Sequence, residues 1–153
     1  MADSTSGDAS ALAQTLAQRC AEAMWSGDHA TRGLGMDLLE VGPGRAVIGM
    51  TIRESMANGQ GNCHGGFIFA LADSAFAFAC NSHGPMTVAQ HCSVTFLRPG
   101  RVGDRLTAQA VERTRAGRSG IYDVSITRAD GALIAEFRGH SRTVEGSWVD
   151  DPK

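Results

Sequence analysis

The rhythm of hydrophobic and polar positions changes several times along the 153-residue chain. Over 9–25, Leu12, Leu16, Arg19 and Ala23 recur at helical spacing. The runs 33–41 and 45–52 read as strands, with Ala46, Ile48 and Met50 on one side of the second and Gly42-Pro43-Gly44 as the turn between them. Residues 53–63 read as a loop, with Asn58-Gly59 and Gly61-Asn62 as turn signals. The segment 65–81 is the most apolar of the chain and predicts a long helix that stops at Asn81-Ser82-His83-Gly84-Pro85. Four strand-like runs follow, at 86–97, 104–115, 120–128 and 132–144. Val88, Cys92, Val94 and Phe96 alternate in the first, and Ala129-Asp130-Gly131 is a hairpin turn between the last two.

The order is helix, two strands, buried helix, four strands, without the strand–helix alternation that builds a parallel sheet. The expected fold class is therefore α+β, an antiparallel β-sheet wrapped around one long central helix. The pattern divides the chain into a flexible N-terminus (1–8), a single domain (9–144) and a tail without periodicity (145–153).

Composition narrows the function classes. A net charge of -2 carries no global signal for nucleic acid or for a membrane surface. The first residues lack the basic and apolar regions of a secretory signal. Cys20, Cys63, Cys80 and Cys92 lack the spacing of a metal site, so four reduced thiols in a cytoplasmic protein are expected, with no metal.

The run NCHGGFIFALADSAFAFACN places one carboxylate, Asp73, at the centre of the apolar helix. On a helical wheel Gly66, Phe69, Ala70, Phe76, Ala77 and Cys80 share its side, and Phe67, Leu71, Ala75 and Phe78 lie opposite. A helix apolar on both sides is buried all round, and a charge inside it must pair or shift its pKa. At the helix start, Gly65 and Gly66 carry backbone N–H groups without intrahelical partners, where a carbonyl oxygen could be polarised. Eight residues of helix rise about 12 Å, too far for one carbonyl group to touch both Gly65 and Asp73. If both act on one substrate, they come from different chains, and two antiparallel copies of the helix about a two-fold axis would bring them together.

These residues resemble a known family. The run CHGGFIFALADSAFAFACNSHG, with TFLRPGRVGD after it, is similar to the hotdog-fold acyl-CoA thioesterases of the PaaI type, named for phenylacetate degradation, over about 33–144. The resemblance implies hydrolysis of an acyl-CoA to the free acid and coenzyme A, without a cofactor, in a homodimer that often pairs into a homotetramer. It implies aryl substrates such as phenylacetyl-CoA and its ring-hydroxylated forms. By motif, Asp73 matches the catalytic carboxylate, acting as nucleophile or as base to water. Gly65 matches the glycine whose N–H polarises the thioester carbonyl, His64 the residue that shapes that loop, and Asn58 a position that helps place the thioester or water. Some relatives carry a hydroxyl residue where Ala77 and Ala89 stand here.

Coenzyme A brings phosphates, and Arg98, Arg101, Arg105, Arg113, Arg115 and Arg118 are clustered, interrupted by Asp104 and Glu112. Arginine suits phosphate, so Arg101, Arg118 and Ser119 are the expected contacts. Gly66 and Phe76 are the other candidate substrate-binding residues, and Phe76 fits an aromatic acyl pocket and the core equally well. Other readings stay open: a hydratase or dehydratase on the same fold, a non-catalytic acyl-CoA-binding protein, or a structural module in which Asp73 is a satisfied core charge.

Overall fold

The computed structural model describes residues 4–150. Helix α1 spans Ser4–Gly27 and a short helix α2 spans His29–Gly33. Strands β1 (Asp37–Gly42) and β2 (Arg45–Thr51) lead to a 3-10 turn at Glu54–Met56, and the long helix α3 covers Gly65–Cys80. Strands β3 (Pro85–Phe96), β4 (Arg105–Ala116), β5 (Ser119–Arg128) and β6 (Leu133–Ser147) complete the chain. The six strands form one antiparallel sheet in the order β1-β2-β4-β5-β6-β3, leaving β1 and β3 as its edges.

The alternation expected of β2, β4, β5 and β6 is seen in burial: Ala46, Ile48, Met50, Leu106, Ala108, Ala110, Val124, Ile126 and Ala135 are fully buried. They close on Ile68, Leu71, Ala72, Ala75, Phe76, Phe78 and Ala79 of α3 in one core. The sheet wraps the helix, and α3 touches all six strands. This is the hotdog arrangement that the pattern and the resemblance implied.

Four sequence expectations change. Residues 1–3 of the expected flexible N-terminus lie outside the described residues, whereas 4–8 already belong to α1. The run 33–41 is a strand only from Asp37, because Asp28 caps α2 through a 2.9 Å bond from the Thr31 N–H. The tail is partly structured: β6 continues to Ser147, and the Trp148 indole N–H donates to Asn81 at 2.7 Å; residues 151–153 lie outside the described ones. Phe76 and Cys80, which the wheel places on the Asp73 side of α3, are both buried within the single chain. The curling sheet covers more of the helix than the half that a flat sheet would.

Candidate active site

The loop before α3 is stapled by the backbone. Cys63 N–H donates to Gly100 O at 2.7 Å, and His64 N–H donates to Met56 O at 2.7 Å. Asn58 organises the turn between them: its N–H donates to Asn62 O at 2.7 Å, while its Oδ1 accepts from Gln60 N at 3.0 Å and Asn62 N at 3.2 Å. With Oδ1 engaged in the loop, the side-chain amide N–H groups of Asn58 have no hydrogen-bond partner among the described residues.

His64 is the N-cap of α3, and its Nδ1 accepts the Gly66 N–H at 3.0 Å. An acceptor Nδ1 puts the ring proton of the neutral histidine on Nε2. One of the orphan donors of the helix start is thereby used. The Gly65 N–H has no partner among the described residues and lies at the end of the helix where the dipole is positive.

Neither glycine has a positive φ, so the backbone does not demand them. Space does. A methyl on Gly65 would lie 3.0 Å from the Phe96 ring, and one on Gly66 would lie 3.1 Å from His64 Nδ1. Gly65 opens onto a cavity of about 370 Å³ lined by Asn58, Asn62, Ile68, Phe96, Leu97 and Arg98, among others.

Asp73 lies two turns further along the same helix. Gly66, Phe67, Phe69, Ala70, Asp73, Ser74 and Ala77 are positions of α3 that keep some exposure, so Asp73 sits in a stripe of mostly small residues that the sheet leaves open. Its carboxylate has no hydrogen-bond or ion-pair partner among the described residues, and burial raises its pKa above the usual carboxylate value. Its charge reaches two thiols. Cys80 is pushed up to about 12, first by burial and then by Asp73, and Cys92 is raised by the same two causes. Neither thiol is a ready nucleophile.

The remaining expected contacts separate into two groups. Arg101 bridges to Asn62 and so stands at the Gly65 end of α3. Arg118 donates from Nε to Thr143 O at 3.2 Å, and Ser119 begins β5 beside it. Thr143 pairs with Thr87, whose N–H donates to Asn81, the C-cap of α3. Arg118 and Ser119 are therefore at the far end of the helix, about 24 Å from its start. The Phe76 ring is buried between Tyr122 (centroids 5.5 Å apart) and Phe137 (5.8 Å), as a core side chain would be. Sequence reasoning missed Arg98, Leu97 and Phe96 as lining of the cavity, although all three stand in the quoted TFLRPG run. Among the described residues no group of three or more His, Cys, Asp or Glu could hold a metal ion.

Comparison with known proteins matches this arrangement to a family. The thioesterase superfamily model matches residues 60–135, which take in α3, strands β3, β4 and β5 and the start of β6. The acyl-coenzyme A thioesterase PaaI of Escherichia coli K12 is 44% identical over 83% of this chain and 91% of that protein. This chain belongs to the thioesterase superfamily, among its PaaI-type members. The solved structure of E. coli PaaI, from the phenylacetic acid degradation operon, superposes with a TM-score of 0.86 at 42% identity, covering 88% of this chain and 97% of that one. The TT0310 protein of Thermus thermophilus superposes with a TM-score of 0.74 at 39% identity, covering 76% of this chain and 98% of that one. As a thioesterase of this type, the chain is an enzyme, and no described helix is long and apolar enough to cross a membrane.

Proposed function

We propose that this thioesterase hydrolyses aryl acyl-CoA, such as phenylacetyl-CoA or its ring-hydroxylated forms, to the free acid and coenzyme A. One observation carries the chemistry: α3 holds an unpartnered N–H at Gly65, opening on a cavity, and an unpartnered carboxylate with a raised pKa at Asp73. The thioester oxygen accepts from the Gly65 N–H, which stabilises the negative charge that grows there. Asp73 either takes a proton from a water that attacks the carbonyl carbon and passes it to the sulfur as the C–S bond breaks, or attacks the carbon itself. In the second case coenzyme A leaves as a thiolate that is protonated by solvent, and water hydrolyses the acyl–Asp73 anhydride to the free acid.

The separation of about 12 Å along the helix requires two chains for each site. In an antiparallel pair, each step along one helix is a step back along the other. Setting Gly65 against the partner's Asp73 therefore also sets the loop at Asn58 against the C-terminal end of the partner's helix. Arg101 of one chain and Arg118 and Ser119 of the other then flank the same mouth, which suits the phosphates of coenzyme A. Two features support a second copy. The open stripe of α3 needs cover, and β3 is a 12-residue edge strand with Val88 48% exposed. Pairing of dimers into a homotetramer, and a cytoplasmic setting, complete the reading.

Thiol release from a panel of aryl and fatty acyl-CoAs tests it. Asp73→Asn should lower turnover by about 10²–10⁴-fold while the fold survives, the range for loss of an acid–base group. Full activity in that variant would make Asp73 a structural charge. Hydration of crotonyl-CoA without thiol release would favour the hydratase, and binding without release a non-catalytic protein.

A further inference from the structure

The aromatic side chain nearest the candidate oxyanion donor is not on α3. It is Phe96, at the end of β3. A methyl placed on Gly65 would lie 3.0 Å from its Cζ and 3.4 Å from both Cε atoms, so the tip of the ring points straight at Gly65. Phe96 is 50% exposed, and Leu97 beside it is 48% exposed. Both line the cavity onto which Gly65 opens, together with the buried Ile68 and Cys63 and with Pro99. The polar side chains of the cavity are Asn58, Asn62 and Arg98.

A carbonyl whose oxygen sits on the Gly65 N–H carries two substituents, and one of them passes the Phe96 ring. The pantetheine arm of coenzyme A is a chain of amides that requires hydrogen-bond partners, whereas the acyl arm is apolar. Phe96, Leu97, Ile68 and Pro99 offer apolar surface and no side-chain hydrogen bonds, so they suit the acyl arm. An aryl group on that arm meets the Phe96 ring in the offset or edge-to-face contacts that aromatic pairs favour. Of the phenylalanines of α3, Phe76 and Phe78 are fully buried, Phe69 stacks edge-on against Phe137 at 5.4 Å, and Phe67, which keeps some exposure, does not line the cavity.

We infer that Phe96, with Leu97 and Ile68, forms the acyl-side wall of the site and sets its preference for aryl over straight-chain acyl groups. The inference rests on the thioester-hydrolysis reading above.

The test is kcat/KM by thiol release for phenylacetyl-CoA and for hexanoyl-CoA, in the wild type, Phe96→Leu and Phe96→Ala, with melting temperature and oligomeric state checked for each. The aryl value should fall about five- to tenfold in Phe96→Ala and the hexanoyl value by a smaller factor, so that the aryl-to-hexanoyl ratio drops, with Phe96→Leu intermediate. If Phe96→Ala folds poorly, Phe96→Leu carries the comparison. Equal losses on both substrates would overturn the inference, since the ring would then serve the pantetheine arm or a subunit interface. An unchanged aryl-to-hexanoyl ratio in active variants would overturn it as well. Absence of thiol release by the wild type from either compound would instead remove the hydrolysis reading, and this inference with it.

Discussion

At Asp73 the chain holds a carboxylate where burial favours its neutral form. A folded-state pKa raised above the unfolded value means that this group supports folding at low pH. That support is lost as pH rises through the raised pKa. Asp73→Asn should therefore raise the melting temperature near neutral pH and lose that advantage in acid, while thiol release collapses. Thermal melts at the two pH values check it, and a variant destabilised at neutral pH would show that Asp73 has a stabilising partner after all. Activity of the wild type should rise with pH through the same raised pKa, because only the ionised carboxylate can accept a proton or attack. Asp73 and Gly65 were legible in the sequence, since a lone charge in an apolar helix and a glycine pair at its start are local patterns. Phe96 was not, because its contact with Gly65 is made where a strand 31 positions later crosses the helix start. That the sheet itself buries Phe76 was not legible, because a wheel gives the angle of a side chain but not how far the sheet curls around to meet it.

At the level of elements, two junctions hold α3 against the sheet. Glu112 of β4 accepts from the Tyr122 hydroxyl at 2.7 Å, contacts His83 Nε2 at 2.7 Å just after α3, and accepts from Arg115 Nε at 3.1 Å. Burial works to raise its pKa, but the hydrogen bonds from Tyr122 and His83 outweigh it and hold the pKa below the usual value. A lowered folded-state pKa gives stability that is present above the unfolded pKa and lost as pH falls through the folded one. Glu112→Gln should destabilise the protein by about 1–3 kcal/mol near neutral pH, the cost of weakening bonds to buried partners. The gap to wild type in denaturant melts should close in acid. The second junction is Gly139 of β6, where an added methyl would lie 2.7 Å from the Phe76 ring. Gly139→Ala should cost about 1–3 kcal/mol by overpacking and leave the aryl-to-hexanoyl activity ratio unchanged; a changed ratio would return Phe76 to the pocket. All six strands and α3 were readable from alternation and helical period, and the hairpin at Asp130-Gly131 was readable from its turn, where Gly131 has φ 88°. Helix α2 was not, because five residues are too short for periodicity and only the cap at Asp28 marks them.

At the level of the whole molecule, the proposed mechanism puts both halves of the chemistry on one chain but at two places on α3. The sheet leaves one stripe of that helix open, and Asp73 lies in it. A second copy covering the stripe would bring Gly65 and Asp73 together twice, once on each side of the two-fold axis. This much follows from helix rise alone. The curvature of the sheet, which decides which side of the helix stays open, is a tertiary property that local pattern does not carry.

The shared site is tested most directly by mixing two inactive chains. Asp73→Ala removes the carboxylate, and Gly65→Pro removes the N–H at a first helical position that tolerates proline. A Phe96→Leu background, present in both chains and in the control, makes room for the proline ring. After denaturation and refolding in equal amounts, half of the dimers are mixed, and each has one intact site. Thiol release should return to about one quarter of the Phe96→Leu control. No return of activity in heterodimers verified by mass would contradict a site built from two chains.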